Sequence, residues 1–119
     1  MAYARVTPRA RHGTTGINVE ADVAAGSGVW INPPDRVAAV TIAVHIPAGE
    51  RATFTIETCC NRPETIGEDG TGGYWDNPFG EGTILQENTV LMLANAVTGI
   101  RVNCLTASGS SKINVCFVG

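Results

Sequence analysis

Between residues 37 and 46 every second side chain is apolar. Ala38, Val40, Ile42, Val44 and Ile46 share one face, and Val37, Ala39, Thr41, Ala43 and His45 share the other, which is small rather than charged. Successive side chains alternate across a strand, whereas a helix groups positions three and four apart, so this run can satisfy itself only as an extended chain. The pattern returns at residues 52–58, where Ala52, Phe54 and Ile56 oppose Thr53, Thr55 and Glu57. Pro47-Ala48-Gly49-Glu50 lies between them and has the residue types of a turn. The simplest expectation is a hairpin pairing Val44 with Phe54 and Ile42 with Ile56. A one-residue slip would turn the apolar set outward, so such a register is well specified.

Similar segments recur along the chain. In residues 17–25, Ile17, Val19, Ala21 and Val23 alternate with Asn18, Glu20, Asp22 and Ala24. Val29-Trp30-Ile31 is bounded by Gly26-Ser27-Gly28 and Asn32-Pro33-Pro34-Asp35. Ile84-Leu85, Val90 to Leu93, Val97 to Leu105 and Ile113 to Val118 complete the set. The last two read as a second hairpin over residues 107–111, pairing Cys104 with Val115 and Val102 with Phe117. That register buries Ile100, Val102, Cys104, Ile113, Val115 and Phe117 and turns Cys116 away. Val, Ile and Thr supply 34 of the 119 residues, against 4 Leu and 1 Lys. β-Branched side chains are stiff at χ1 and fit a pleated sheet better than a helix. The length supports one domain. The expected fold is all-β: an antiparallel β-sandwich, jelly-roll- or immunoglobulin-like, of about seven to eight strands.

Charge divides the chain in two. Arg5, Arg9 and Arg11 give residues 1–16 a charge of +3, while five basic and eleven acidic groups leave −6 on the rest, for a total of −3. Pro8, Gly13 and Gly16 argue against a helix in the basic segment. The expected organisation is an extended N-terminal arm over residues 1–16 and a sandwich domain over 17–119. A basic arm on an acidic body fits docking onto an acidic neighbouring subunit, since Arg forms bidentate pairs with carboxylates. Nucleic acid is a poor partner, because the body would repel the same polyanion.

Residues 60–83 are rich in Gly, Pro and Asn, and Glu64, Glu68, Asp69, Asp76 and Glu81 make them acidic. A long irregular stretch in a small domain is uncommon and often functional. Tyr74, Trp75 and Phe79 cluster there, either to cover one end of the sandwich or to anchor another chain; a short strand is expected near Tyr74-Trp75. Glu68-Asp69-Gly70 and Asp76-Asn77 are the best oxygen donors for Ca²⁺, but their spacing does not match an EF-hand loop, and a solvated acidic loop is the simpler reading. Paired carboxylates for glycoside hydrolysis are equally unsupported. A nucleophile needs a base, usually His. His12 lies in the arm and His45 on a strand among small residues, and neither Gly-x-Ser-x-Gly nor a phosphate-binding loop occurs. No catalytic residue, cofactor or metal is expected.

The four cysteines, Cys59, Cys60, Cys104 and Cys116, have no Cys-x-x-Cys spacing. The N-terminal Met-Ala-Tyr-Ala-Arg lacks the apolar stretch of a signal peptide, and no apolar run approaches the roughly 20 residues that span a bilayer. The expectation is a chain folded in a cytosol, off the membrane, with reduced thiols.

Taken together, the layout resembles the small β-sandwich virion proteins of tailed bacteriophages. The features that carry it are the small-residue strand from Val37 to Ile46, the Pro-Ala-Gly turn and the Thr-alternating strand from Ala52 to Thr58. The Trp75-Asp76-Asn77-Pro78 loop, the Val97-Thr98-Gly99-Ile100-Arg101-Val102 run and a closing strand to Gly119 follow. The resemblance covers residues 37–119 and carries no catalytic or metal-binding residue. It implies a non-enzymatic structural protein of a virion, assembled in the host bacterial cytoplasm. Within that group a capsid decoration or cement protein is expected, binding the major capsid protein or other virion subunits as a homo-oligomer, with a trimer as first expectation. Arg5, Arg9, Arg11, Tyr74, Trp75 and Phe79 are the expected partner-binding residues. The alternative is a tail-fibre or other carbohydrate- or receptor-binding sandwich, with Tyr74 and Trp75 stacking on sugar rings and Asp76 and Asn77 bonding hydroxyls.

Overall fold

A computed structural model describes residues 3–6, 17–34, 39–94 and 96–119. The described residues form nine strands: β1 (Tyr3–Arg5), β2 (Asn18–Ala24), β3 (Ser27–Ile31), β4 (Val40–His45), β5 (Ala52–Cys59), β6 (Trp75–Asp76), β7 (Thr89–Leu93), β8 (Gly99–Ala107) and β9 (Lys112–Val118). A short 3-10 turn at Pro63–Thr65 is the one helical element among the described residues. Sheet A has the order β1-β3-β8-β5-β6 and sheet B the order β2-β9-β4-β7. Every ladder is antiparallel except β1 with β3. The chain is an all-β sandwich.

Both sheets turn one side of their alternation to a common core. Ile31, Phe54, Ile56, Ile100, Val102 and Cys104 enter from sheet A, and Ile42, Ile113, Val115 and Phe117 from sheet B; all are 0% exposed. Burying a side chain of this kind is worth about 1.5–3 kcal/mol. The bulge at Leu105 keeps sheet A in phase. Thr53 pairs with Thr106 but Phe54 with Cys104, so Leu105 is the extra residue, and both Cys104 and Ala107 can face inward.

Neither expected hairpin forms. β4 pairs with β9 and β7, whereas β5 pairs with β8 and β6. Val44 therefore neighbours Val115, and Phe54 neighbours Cys104. β8 and β9 likewise belong to opposite sheets. The buried residues are those the alternation names, but they meet face to face across the sandwich instead of side by side in one sheet. Alternation fixes which side of a strand faces the core and leaves open which strand lies beside it. The turns at residues 46–51 and 108–111 are consequently crossings between sheets. Gly49 (φ 81°) and Gly109 (φ 56°) supply the left-handed backbone these crossings need.

Of the expected N-terminal arm, the structure describes residues 3–6. Tyr3–Arg5 pairs parallel to β3, with Tyr3 beside Gly28 and Arg5 beside Trp30, and forms an edge of sheet A. Tyr3 is buried. The rest of the expected arm, with Arg9, Arg11 and His12, lies outside the described residues.

Candidate functional site

The outward side of sheet A carries a second apolar cluster, built from Tyr3, Trp30, Cys59 and Ile66 with Trp75 packed against it. Strand register explains the grouping. Arg5, Trp30, Arg101 and Glu57 form one row across β1, β3, β8 and β5. Tyr3, Gly28, Asn103 and Thr55 form the next. Arg101 organises both. Its Nε and Nη2 donate to the two Glu57 carboxylate oxygens at 3.1 and 3.3 Å. Its guanidinium lies between two rings, 4.6 Å from the Tyr3 centroid and 4.3 Å from that of Trp75. Cation–π contacts of this kind gain strength as water is removed. The Arg101 and Glu57 side chains are 15% and 22% exposed, so the pair is sheltered though not dry.

The long glycine-rich segment is the cover of this cluster. Trp30 Nε1 donates to the Glu68 carbonyl at 2.9 Å, the Tyr3 amide to the Asp69 carbonyl at 2.7 Å, and Arg101 Nη1 to the Gly70 carbonyl at 3.0 Å. Trp75 Nε1 donates to the Gly72 carbonyl at 2.7 Å. Four donors thus satisfy the loop carbonyls of Glu68, Asp69, Gly70 and Gly72, which lets irregular backbone pack onto an apolar surface. Gly70 (φ 74°) lies so near Trp30 that a Cβ there would stand 2.7 Å from the indole ring.

Two acidic side chains of the loop, Glu68 and Asp69, are used locally. Glu68 accepts from Arg5 at 3.0 Å. Asp69 Oδ1 accepts from Thr71 Oγ1 at 2.6 Å and Thr71 N at 3.2 Å, and these bonds hold its carboxyl below the usual range. Asn77 donates to the Thr83 carbonyl and accepts from the Phe79 amide. Among the described residues no three His, Cys, Asp or Glu side chains converge as metal ligands. No described helix is long and apolar enough to cross a membrane. His45 Nδ1 lies 3.3 Å from Asn88 Nδ2, and Asn88 Oδ1 accepts from the Ile46 amide. Since that amide fixes the Asn88 orientation, His45 Nδ1 is the acceptor and the pair anchors the start of β7. A polar surface hollow of about 520 Å³ is lined by Glu50, Arg51, Thr53, Gln86, Glu87 and Thr106. It contains no His or Cys to act as base or nucleophile.

The sequence-predicted contact residues separate accordingly. Arg5 finds its acidic partner, Glu68, within its own chain and stacks 5.2 Å from the Trp30 centroid. Trp75 is partly buried, with Arg101 on its ring. Tyr74 is 81% exposed and Phe79 is also exposed. Arg9 and Arg11 fall outside the described residues.

Sequence reasoning named Tyr74 and Phe79 but missed Ile84, Val90 and Met92, which are exposed as well. Tyr74, Phe79, Ile84, Val90 and Met92 are five of the six large apolar side chains exposed among the described residues. The five fall within residues 74–92, which lead from β6 at one edge of sheet A to β7 at one edge of sheet B. The sixth, Val118, lies in the same cross-strand row as Thr41 and Met92 on sheet B. The signal was present in Val90-Leu91-Met92-Leu93, a strand apolar on both faces although only one of them meets the core. Scattered apolar side chains are normal on a monomer, whereas a concentration of them marks a contact surface. The segment from Tyr74 to Met92 is the candidate functional site. Comparison of the chain with family models, curated proteins and solved structures gives no match.

Proposed function

We propose that this chain is a non-enzymatic assembly protein, and specifically a structural protein of a phage particle that decorates or cements its capsid. The observation that supports this reading is the concentration of exposed apolar side chains from Tyr74 to Met92. Of the polar groups that sequence reasoning considered for chemistry, Glu68, Asp69, Asn77 and His45 are engaged in internal bonds. Many copies binding through such segments would reinforce a shell even where each contact is weak. Arg9 and Arg11 add the basic charge expected to meet acidic neighbouring subunits. In this reading Arg5, Tyr3 and Trp75 build the domain, while Tyr74 and Phe79 make contact with a partner. The test is to separate purified particles into capsid and tail fractions and detect the chain by mass spectrometry. Presence in the capsid fraction, reduced by Tyr74→Ala with Phe79→Ala, is the expected outcome; absence from particles would overturn the reading.

A second reading, a carbohydrate- or receptor-binding module, draws on Tyr74, whose ring is free to stack on a sugar. Arg101 occupies one face of Trp75, which leaves this site with fewer free aromatic faces than the sequence promised. Glycan-array binding abolished by Tyr74→Ala, with oligomeric state intact, would favour this second reading.

A further inference from the structure

A β-sandwich must protect four sheet edges, because an open edge offers unpaired N–H and C=O groups to any passing strand. Here the edges are β1, β6, β2 and β7. Three are blunted. β1 has three residues and carries Arg5, and β6 has two and carries Asp76. β2 points Asn18, Glu20 and Asp22 outward, all exposed. β7 has none of these devices. Its sequence, Thr-Val-Leu-Met-Leu, holds no charge and no proline. It pairs with β4 through five consecutive residues without a bulge. Val90 is 74% exposed and Met92 69%. Behind them in the sheet stand Ala43 and Thr41, small and uncharged, followed on β9 by Cys116 and Val118. Among the described residues no strand occupies the outer side of β7.

We propose that β7 pairs antiparallel with β7 of a second copy of this chain, joining two four-stranded sheets edge to edge about a two-fold axis. The strand's own pattern selects this occupant. With Leu91 on the axis, Thr89 lies opposite the partner's Leu93, and Val90 opposite the partner's Met92. All five residues are then paired, each exposed apolar side chain meets another, and no charge faces a charge. Shifting the pairing by two residues keeps the faces matched but takes residues out of β7; one such shift sets Met92 opposite the partner's Asn88. Cross-strand apolar pairs are the unit of sheet stabilisation, and a two-fold contact supplies each pair twice. This contact is two-fold, so it is separate from the three-fold assembly expected from sequence.

The pairing rests on the reading of the chain as an assembly protein. A monomer that still enters particles would sink the pairing alone, and a dimer absent from particles would sink that reading alone. The experiment is sedimentation equilibrium of the full chain at micromolar concentrations, with folding checked by circular dichroism. The wild type is expected to be dimeric. Val90→Glu with Met92→Glu places like charges opposite each other twice and is expected to weaken the dimer at least about tenfold. Val90→Lys with Met92→Glu places opposite charges in the same two positions and is expected to restore it in a salt-sensitive form. A monomeric wild type, an unaffected Glu/Glu variant, or a Lys/Glu variant as dissociated as the Glu/Glu one would each overturn the proposal.

Discussion

The ring of Tyr3 fills the space a side chain on Gly28 would require. A Cβ on Gly28 would stand inside hard contact with two Tyr3 ring carbons and 3.0 Å from the Val102 carbonyl oxygen. The first strand is thus seated by an absence, a residue in β3 with no side chain of its own. Gly28→Ala should displace the ring at a cost of about 1–3 kcal/mol, the usual range for overpacking. In Tyr3→Ala the same substitution should cost less, leaving mainly the strain against Val102. A double-mutant cycle by urea unfolding measures the coupling, and additive costs would show that the ring is not what Gly28 accommodates.

Arg101 predicts a distinct failure. Lys at this position keeps the charge and loses the planar fork that reaches both Glu57 oxygens and lies between two rings. Arg101→Lys should cost about 1–3 kcal/mol, in the range of charge-assisted hydrogen bonds. Arg101→Ala should cost more, since it leaves the sheltered Glu57 unpaired. Denaturant unfolding of the three proteins checks the order. Equal stability of the Lys variant and the wild type would mean that charge alone suffices.

These two relationships also show where the sequence stops being legible. Alternation named Ile42, Val44, Phe54, Ile56, Val102, Cys104, Val115 and Phe117 as core, and all are buried. It assigned the wrong neighbours to them, because a sandwich and a hairpin impose the same period of two. β1 was illegible for another reason. Tyr3-Ala4-Arg5 is too short for a period, and its place depends on Gly28, Asp69 and Arg101, which are remote in sequence. Arg101 did leave a trace as the one charged residue in the run from Val97 to Leu105. The candidate site was half visible. The aromatic loop stood out by composition, but Val90 to Leu93 read only as a strand, because exposure depends on what covers a sheet face, and no local pattern encodes that.

Acid should loosen the loop that covers sheet A. The Thr71 hydroxyl, and then its amide, stabilise the Asp69 carboxylate and lower its pKa. The folded value lies below the unfolded one, so this stabilisation is present above the ordinary carboxylate range, near about pH 4, and is lost as pH falls through the folded value. Glu50, lowered by hydrogen bonds from Ser108 and Ser111, adds a contribution of the same sign at the β8–β9 crossing. Melting temperatures measured from neutral pH to about pH 2 should decline on the acid side, and Asp69→Asn should flatten that decline. Identical acid limbs in the two proteins would remove Asp69 from the account.

Thiol reactivity offers a test of the outer face of sheet B. Cys60 is exposed, whereas Cys59 and Cys104 are 1% and 0% exposed. Cys116 lies between, with its Sγ 3.7 Å from Glu20 Oε2 and 3.3 Å from Asn114 Oδ1. Burial, then the negative charge of Glu20, pushes its thiol pKa up and keeps the unreactive form populated. Iodoacetamide at mildly alkaline pH, followed by peptide mass spectrometry, should modify Cys60 first and Cys116 more slowly, with Cys59 and Cys104 protected until unfolding. Glu20→Gln removes the repelling charge and should accelerate Cys116 while leaving Cys60 unchanged. An unaltered Cys116 rate in that variant would assign the protection to burial alone. It would also place Glu20 farther from the thiol in solution than the β2–β9 register sets it.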